Sequence, residues 1–245
     1  MMMKKYICYI LLTTSLVLLG ATSSQAQLTK NPDAFINNPL GVKPLYLHFG
    51  RGALYLSALT GVAYYITRKN KEIEDKRLSF YFENGTMFSY EYPNTLIPET
   101  NVGVNYKVTK WLAYGADIGI YFPRDDFNRA TGLSMLRIYN KMYFVDNEKF
   151  RLWFENGVGV VYFTNTFPKK TDQSERTGTN WNGVVKYGFG SEFNINPSLS
   201  LLVGLRHLHF SNADIRGKDR NPSSDSHGFF IGVNYNPNRT DYDNN

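Results

Sequence analysis

The sequence predicts an all-β protein, an eight-stranded antiparallel transmembrane β-barrel carrying an N-terminal periplasmic extension. Three observations predict it. From Arg77 onward, large apolar residues alternate with small or polar ones at period two over eight segments. The linkers between these segments are alternately short and long. Aromatic residues make up 16% of the chain, 18 Tyr and 17 Phe among them, beside 20 Gly, which suits strands better than helices and argues against disorder.

The chain has 245 residues, enough for one domain and a modest extension. Its first element reads as an address. Lys4 and Lys5 precede the apolar stretch from Tyr6 to Ala21, and Ser24-Gln25-Ala26 offers small residues for cleavage before Gln27, so 1-26 is expected to be a secretory signal peptide. The only cysteine, Cys8, falls inside it, which leaves neither a disulfide framework nor a thiol nucleophile beyond it. Without Lys4 and Lys5 the formal charge falls from +6 to +4, spread along the chain. Nucleic-acid binding would need a basic stripe, and none is present.

Residues 27-76 lack the period-two rhythm. Gln27 to Pro44 is polar, Leu45 to Thr67 is mostly apolar, and Arg68 to Arg77 is charged. The expectation is a periplasmic extension with an amphipathic helix or hairpin around Ala53–Ile66. The barrel is expected over 77-236, with strands at 77-91, 100-108, 112-122, 133-145, 149-163, 180-194, 199-211 and 225-236, and a tail at 237-245. Parity within the strands is explicit. Val102, Val104, Tyr106 and Val108 share one face of the second strand, and Trp181, Val185, Tyr187, Phe189 and Phe193 share one face of the sixth. A soluble β-sandwich shows the same alternation. Strands of roughly 9–15 residues that can cross a bilayer at a tilt, with short turns at one end and long loops at the other, favour the barrel. Its inward set would be Glu83, Asp117, Arg137, Lys141, Arg151, Glu155, Lys186, Glu192 and Arg206. With both signs present, these residues predict a paired internal network and no wide pore.

The residues that carry chemistry lie at the end of the seventh strand, in the loop after it and at the start of the eighth. His207, His209 and Ser211 continue the apolar parity of Leu199, Leu201, Val203 and Leu205, and Asp225 and His227 continue that of Phe229, Ile231 and Val233. All five should point outward near the rim. An imidazole and a hydroxyl two residues apart on a strand are roughly 6–7 Å apart at Cα. An imidazole between a hydroxyl and a carboxylate is the arrangement that activates a serine. From the residues alone, solvated His and Ser at headgroup level fit as well. No His-Glu-x-x-His or cysteine-based spacing occurs, so no metal or other cofactor is expected. His48 stands alone. Arg216, Lys218 and Arg220 in the last loop, with Lys169, Lys170 and Arg176 in the third long one, are either solvated or placed to meet phosphates.

The run His209-Phe210-Ser211-Asn212-Ala213, followed by Asn221-Pro222 and by Asp225, resembles the lipid A 3-O-deacylase family of eight-stranded outer-membrane barrels. The likeness is close over Arg206 to Tyr235 and loose over the rest of the barrel. It implies that Ser211 is the nucleophile, His209 the general base, Asp225 the acid that orients the base, and Asn212 a contributor to the oxyanion site. It also implies hydrolysis of an ester-linked acyl chain of lipid A or lipopolysaccharide, among outer-membrane lipids. Two features depart from the family: Asp stands where its best-known members carry Glu, and the loop is slightly longer. A non-enzymatic structural barrel and a phospholipid esterase on the same three residues are the alternative expectations.

Overall fold

The structure, a computed structural model, describes residues 61, 78–89, 95–124, 129–169, 177–213 and 215–237. The expected signal peptide, nearly all of the expected extension and the tail beyond Pro237 lie outside them. So does the helix or hairpin expected at 53–66, apart from Gly61, whose backbone is helical.

The eight strands are β1 (Leu78–Ser89), β2 (Leu96–Thr109), β3 (Leu112–Tyr121), β4 (Gly132–Asp146), β5 (Phe150–Phe167), β6 (Thr179–Asn194), β7 (Leu199–Ser211) and β8 (Ser224–Tyr235). Each pairs antiparallel with the next, and β1 pairs with β8, so the sheet closes on itself. Paired residues followed once around the wall lead from Phe88 through His227, His207, Tyr187, Asn156, Asn140, Tyr114 and Tyr106 to Leu78, ten positions lower on the first strand. A stagger of that size over eight strands inclines them by roughly 40° to the barrel axis.

Two boundaries differ from expectation. β2 starts at Leu96, although Pro98 lies in its first turn of pleat, and β5 continues to Phe167. Leu96 exchanges backbone hydrogen bonds with Arg124, and the carbonyl of Pro98 accepts from the Phe122 amide, so pairing continues on both sides of the one donor the proline lacks. In β5 the added Thr164-Asn165-Thr166 rises beyond the apolar band, where both faces are wet and period-two alternation has no cause to persist.

The outward face is large and apolar. Phe82, Val102, Ile118, Ile138, Val160, Trp181, Phe189, Leu205, Phe229 and Ile231 are all exposed, as lipid-facing side chains must be. The lumen is filled in three layers. Nearest the long loops, Met87, Ile97, Tyr121, Phe163, Phe167, Leu208 and Phe210 form an apolar plug. Tyr81, Tyr139, Trp153, Leu202 and Phe230 form another toward the short turns. Between them lies the paired network that the sequence predicts. Arg206 contacts Glu83, Glu99 and Glu155 at 2.5, 2.8 and 2.9 Å, Lys186 meets Glu99 at 2.9 Å, and Arg137 pairs with Asp117 and Glu155. Glu99 belongs to this network because β2 starts at Leu96, four residues before the strand expected at 100-108. Arg206 also lies over the Phe230 ring at 4.1 Å, tying the charged layer to the plug below.

Candidate active site

Alternation along β7 sets the site. Leu208 and Phe210 point inward, and the Phe210 ring meets Tyr121, Phe163 and Phe167 edge-on at 5.2, 5.1 and 5.8 Å. That anchor fixes the backbone from which His207, His209 and Ser211 point the other way. Register then brings the neighbours in: His209 faces Asp225 on β8 and Val185 on β6, His207 faces His227 and Tyr187, and Ser211 faces Gly183.

The sequence-predicted base and acid do meet. Asp225 Oδ1 accepts a hydrogen bond from His209 Nδ1 at 2.8 Å. The same oxygen accepts a second, from His207 Nε2 at 3.1 Å. Although these groups project from the outer wall, His207, His209 and Asp225 are only 7%, 7% and 5% exposed, because side chains from three adjacent strands close over one another. The Tyr187 ring stacks on His207 with centroids 4.6 Å apart.

The Ser211 hydroxyl shares the face of His209 and is half-buried. It donates to Asn221 Oδ1 at 3.0 Å and accepts from the Ala213 amide at 3.0 Å. Asn221 Oδ1 also takes the Asn212 backbone N–H at 3.0 Å. The turn that returns Ala213 N–H to Ser211 needs a left-handed residue, and Ala213 supplies it at φ 55°. Asn212, expected at the oxyanion site, sends its carboxamide elsewhere, to the Arg220 carbonyl at 2.5 Å and Thr179 Oγ1 at 3.1 Å. Arg220 in turn donates to the carbonyls of Thr177 and Gly178, so the last loop is fastened to the one before β6. The side chain beside the hydroxyl is thus Asn221, for which the sequence suggests only a turn before Pro222. Its spacing of ten residues from Ser211 gives no local signal, since the contact depends on how the loop folds back.

A cleft of about 570 Å³ opens beside Ser211. Its floor is the lipid-facing surface of β5 and β6 at Val160, Trp181 and Gly183, and its wall is Ile215 and Arg216 of the last loop. A larger cleft of about 760 Å³ over β3 and β4 holds Arg124 and Arg129 and none of the residues above. Among the described residues no three of His, Cys, Asp and Glu gather closely enough to hold a metal ion. His227 lies on the outer face directly opposite His207, whereas His48, Lys170 and Arg176 lie outside the described residues.

The family model described as lipid A 3-O-deacylase (PagL) matches residues 110–234, just over half of the chain, covering β3 to β7 and all but the last residue of β8. The chain belongs to the lipid A 3-O-deacylase family. No curated protein matches it significantly. Among solved structures, the chain is similar to the outer-membrane enzyme PagL, at 18% identity over 63% of this chain and 97% of that one, with a TM-score of 0.46. It is also similar to neisserial surface protein A, at 10% identity over 64% and 94% with a TM-score of 0.47, and to the N-terminal β-barrel domain of Pseudomonas aeruginosa OprF, at 13% identity over 66% and 100% with a TM-score of 0.41. As a member of the lipid A deacylase family, the protein is a hydrolase of the outer membrane. The short turns of such barrels face the periplasm and the long loops the exterior. By that rule the Ser211 end of β7, which leads into a long loop, is the external end of the barrel.

Proposed function

We propose that the protein hydrolyses an ester-linked acyl chain of lipid A through Ser211, His209 and Asp225. The observation that carries this reading is the 2.8 Å contact between His209 Nδ1 and Asp225, with Ser211 two residues further along the same face. The Nδ1 proton is committed to the carboxylate, which makes Nε2 the nitrogen that accepts a proton from a hydroxyl. In the resting arrangement that hydroxyl donates to Asn221, and rotation about the Ser211 Cα–Cβ bond turns it toward His209. His209 then takes the hydroxyl proton as Ser211 Oγ bonds to the ester carbonyl carbon. Negative charge develops on the carbonyl oxygen, close to the Asn212 backbone N–H, which at rest donates to Asn221 Oδ1, and to the Asn221 carboxamide, whose Nδ2 is its donor end once the serine has turned away. In this reading the contribution expected of Asn212 comes from its backbone N–H, since its carboxamide is bonded elsewhere. Collapse breaks the bond to the sugar oxygen, which takes the proton from His209, and an acyl-serine remains. Water attacks it with His209 again accepting the proton, the acyl–Oγ bond breaks, Ser211 Oγ takes that proton back, and the fatty acid leaves.

The cleft suits this substrate class. An acyl chain arriving sideways in the leaflet meets Val160 and Trp181, both half exposed to lipid, before its ester reaches Ser211. Polar groups on a lipid-facing wall are costly, and function is the usual reason they persist there. Mass spectrometry of lipid A from cells with and without the protein tests the reading. Expression should remove one acyl chain, and Ser211→Ala should restore the full pattern. An unchanged lipid A profile from a folded, outer-membrane-inserted protein would overturn it.

A further inference from the structure

We propose that His207 is a positioning residue of the site, a second donor that holds the Asp225 carboxylate in place for His209. The proposal rests on the reading of Ser211, His209 and Asp225 given above. Two imidazoles converge on a single oxygen, Asp225 Oδ1, one at 2.8 Å from His209 Nδ1 and one at 3.1 Å from His207 Nε2. They stand two apart on one face of β7, directly opposite Asp225 and its neighbour His227 on β8. The tyrosine behind makes the arrangement directional. Tyr187 on β6 faces His207 across the sheet, and its ring lies on the imidazole at 4.6 Å and 28° between planes. The imidazole is therefore held edge-on to the carboxylate by packing on one side and by register on the other.

An aspartate has one methylene between backbone and carboxylate, and its terminal torsion is broad. At the rim of a barrel, one hydrogen bond to His209 leaves rotation about that torsion open, and each rotation would cost His209 its tautomer and its aim. A second donor at the same oxygen removes that freedom. The same contact has an opposing effect, because an oxygen shared between two donors is a weaker partner for the imidazolium that forms during attack. Geometry decides between them. A carboxylate only 5% exposed cannot exchange His207 for water, so removing the donor leaves a group that is both mobile and under-bonded. Holding the acid is the larger effect, and loss of the donor slows the reaction.

The test compares three variants with the wild type in lipid A hydrolysis, using protein refolded in detergent and scored as folded by its heat-modifiable gel mobility. His207→Phe keeps a ring for Tyr187 to stack on and removes the donor. His207→Ala removes both. His207→Gln keeps an N–H at similar reach and removes the ring. Positioning through the hydrogen bond predicts that kcat falls on the order of 10- to 100-fold in the Phe and Ala variants alike, with KM within about twofold, and that Gln recovers most of it. Wild-type kcat in His207→Phe with a loss in His207→Gln would show a packing role and overturn the proposal. A rise in kcat on losing the donor would overturn it too. Ser211→Ala, run alongside, separates the two readings. Hydrolysis that persists there removes the serine mechanism and this inference with it, whereas hydrolysis lost there but unchanged in His207→Phe removes this inference alone.

Discussion

Arg206 and His207 are neighbours in sequence and stand on opposite sides of one wall, each at the centre of a buried polar cluster. On the lumen side Arg206 collects Glu83, Glu99 and Glu155, while Lys186 and Arg137 complete the charge balance. On the lipid side His207 and His209 collect Asp225. The lumen cluster pairs its charges internally: its cations have carboxylates beside them, and aromatic plugs cap it at both ends. The rim cluster stands beside the Ser211 hydroxyl, two residues along the same face, which borders an open cleft. The difference teaches how to tell the two kinds of buried charge apart. A network whose charges pair with one another between apolar layers holds a fold together. One that stands beside a hydroxyl and an open cleft is the candidate for chemistry.

Mutations on the two sides should therefore separate activity from stability. The largest effect is expected at the open end. Ser211→Ala should lower lipid A deacylation by about 10⁴-fold or more, with its unfolding midpoint in urea unchanged, and adding His209→Ala should cost little more because the pair acts as one unit. Full activity in the folded serine variant would abolish the distinction drawn between the clusters.

The mirror-image experiment is Arg206→Met. It strips the central cation from three carboxylates and should destabilise the barrel by about 3–5 kcal/mol. Tryptophan fluorescence during urea unfolding in lipid vesicles would measure it. Specific activity of the fraction that folds should stay within a few-fold of wild type. An unfolding curve that superimposes on the wild type would show that the lumen network is dispensable.

Asp225 gives the next effect down. Replacement by Asn keeps the shape but presents an amide that favours the wrong His209 tautomer, and activity should fall by about 10²–10³. Asp225→Glu should keep substantial activity, since the added methylene lengthens the reach without changing the charge. Wild-type hydrolysis by Asp225→Asn would remove Asp225 from the site.

The smallest effect sharpens the comparison at the cleft. A Cβ built at Gly183 comes within 3.2 Å of the Ser211 carbonyl oxygen, and a longer side chain there projects across the cleft floor. Gly183→Val should slow hydrolysis of a long-chain ester by about tenfold while sparing a short-chain one, as a steric limit of one or two methylenes in an apolar site would. Equal losses on both esters would mean that the substrate does not lie over Gly183.

Much of this was legible from the chain alone. In a strand, the face of a residue is fixed by parity, which is local, so the inward charges and the outward His209, Ser211 and Asp225 could be assigned without coordinates. Eight strands, antiparallel order and the long-loop end of the site followed from the same rhythm and from the linkers. Where a strand left the apolar band the rhythm stopped, which is why the early start of β2, and with it Glu99, escaped the reading.

Tertiary structure alone decided which groups touch. Parity says that His207 faces outward, but only the β7–β8 register sets it opposite His227 and within reach of Asp225, and only the β6–β7 register lays Tyr187 on its ring. Asn221 reaches Ser211 because the loop folds back through a left-handed Ala213 and is pinned by Arg220 to a neighbouring loop, and the same folding turns the Asn212 carboxamide away. The chain determined by itself which side of the wall each residue would occupy, because alternation acts over two residues. Closure of the sheet with a ten-residue stagger determined the partners, because that quantity is a property of all eight strands together.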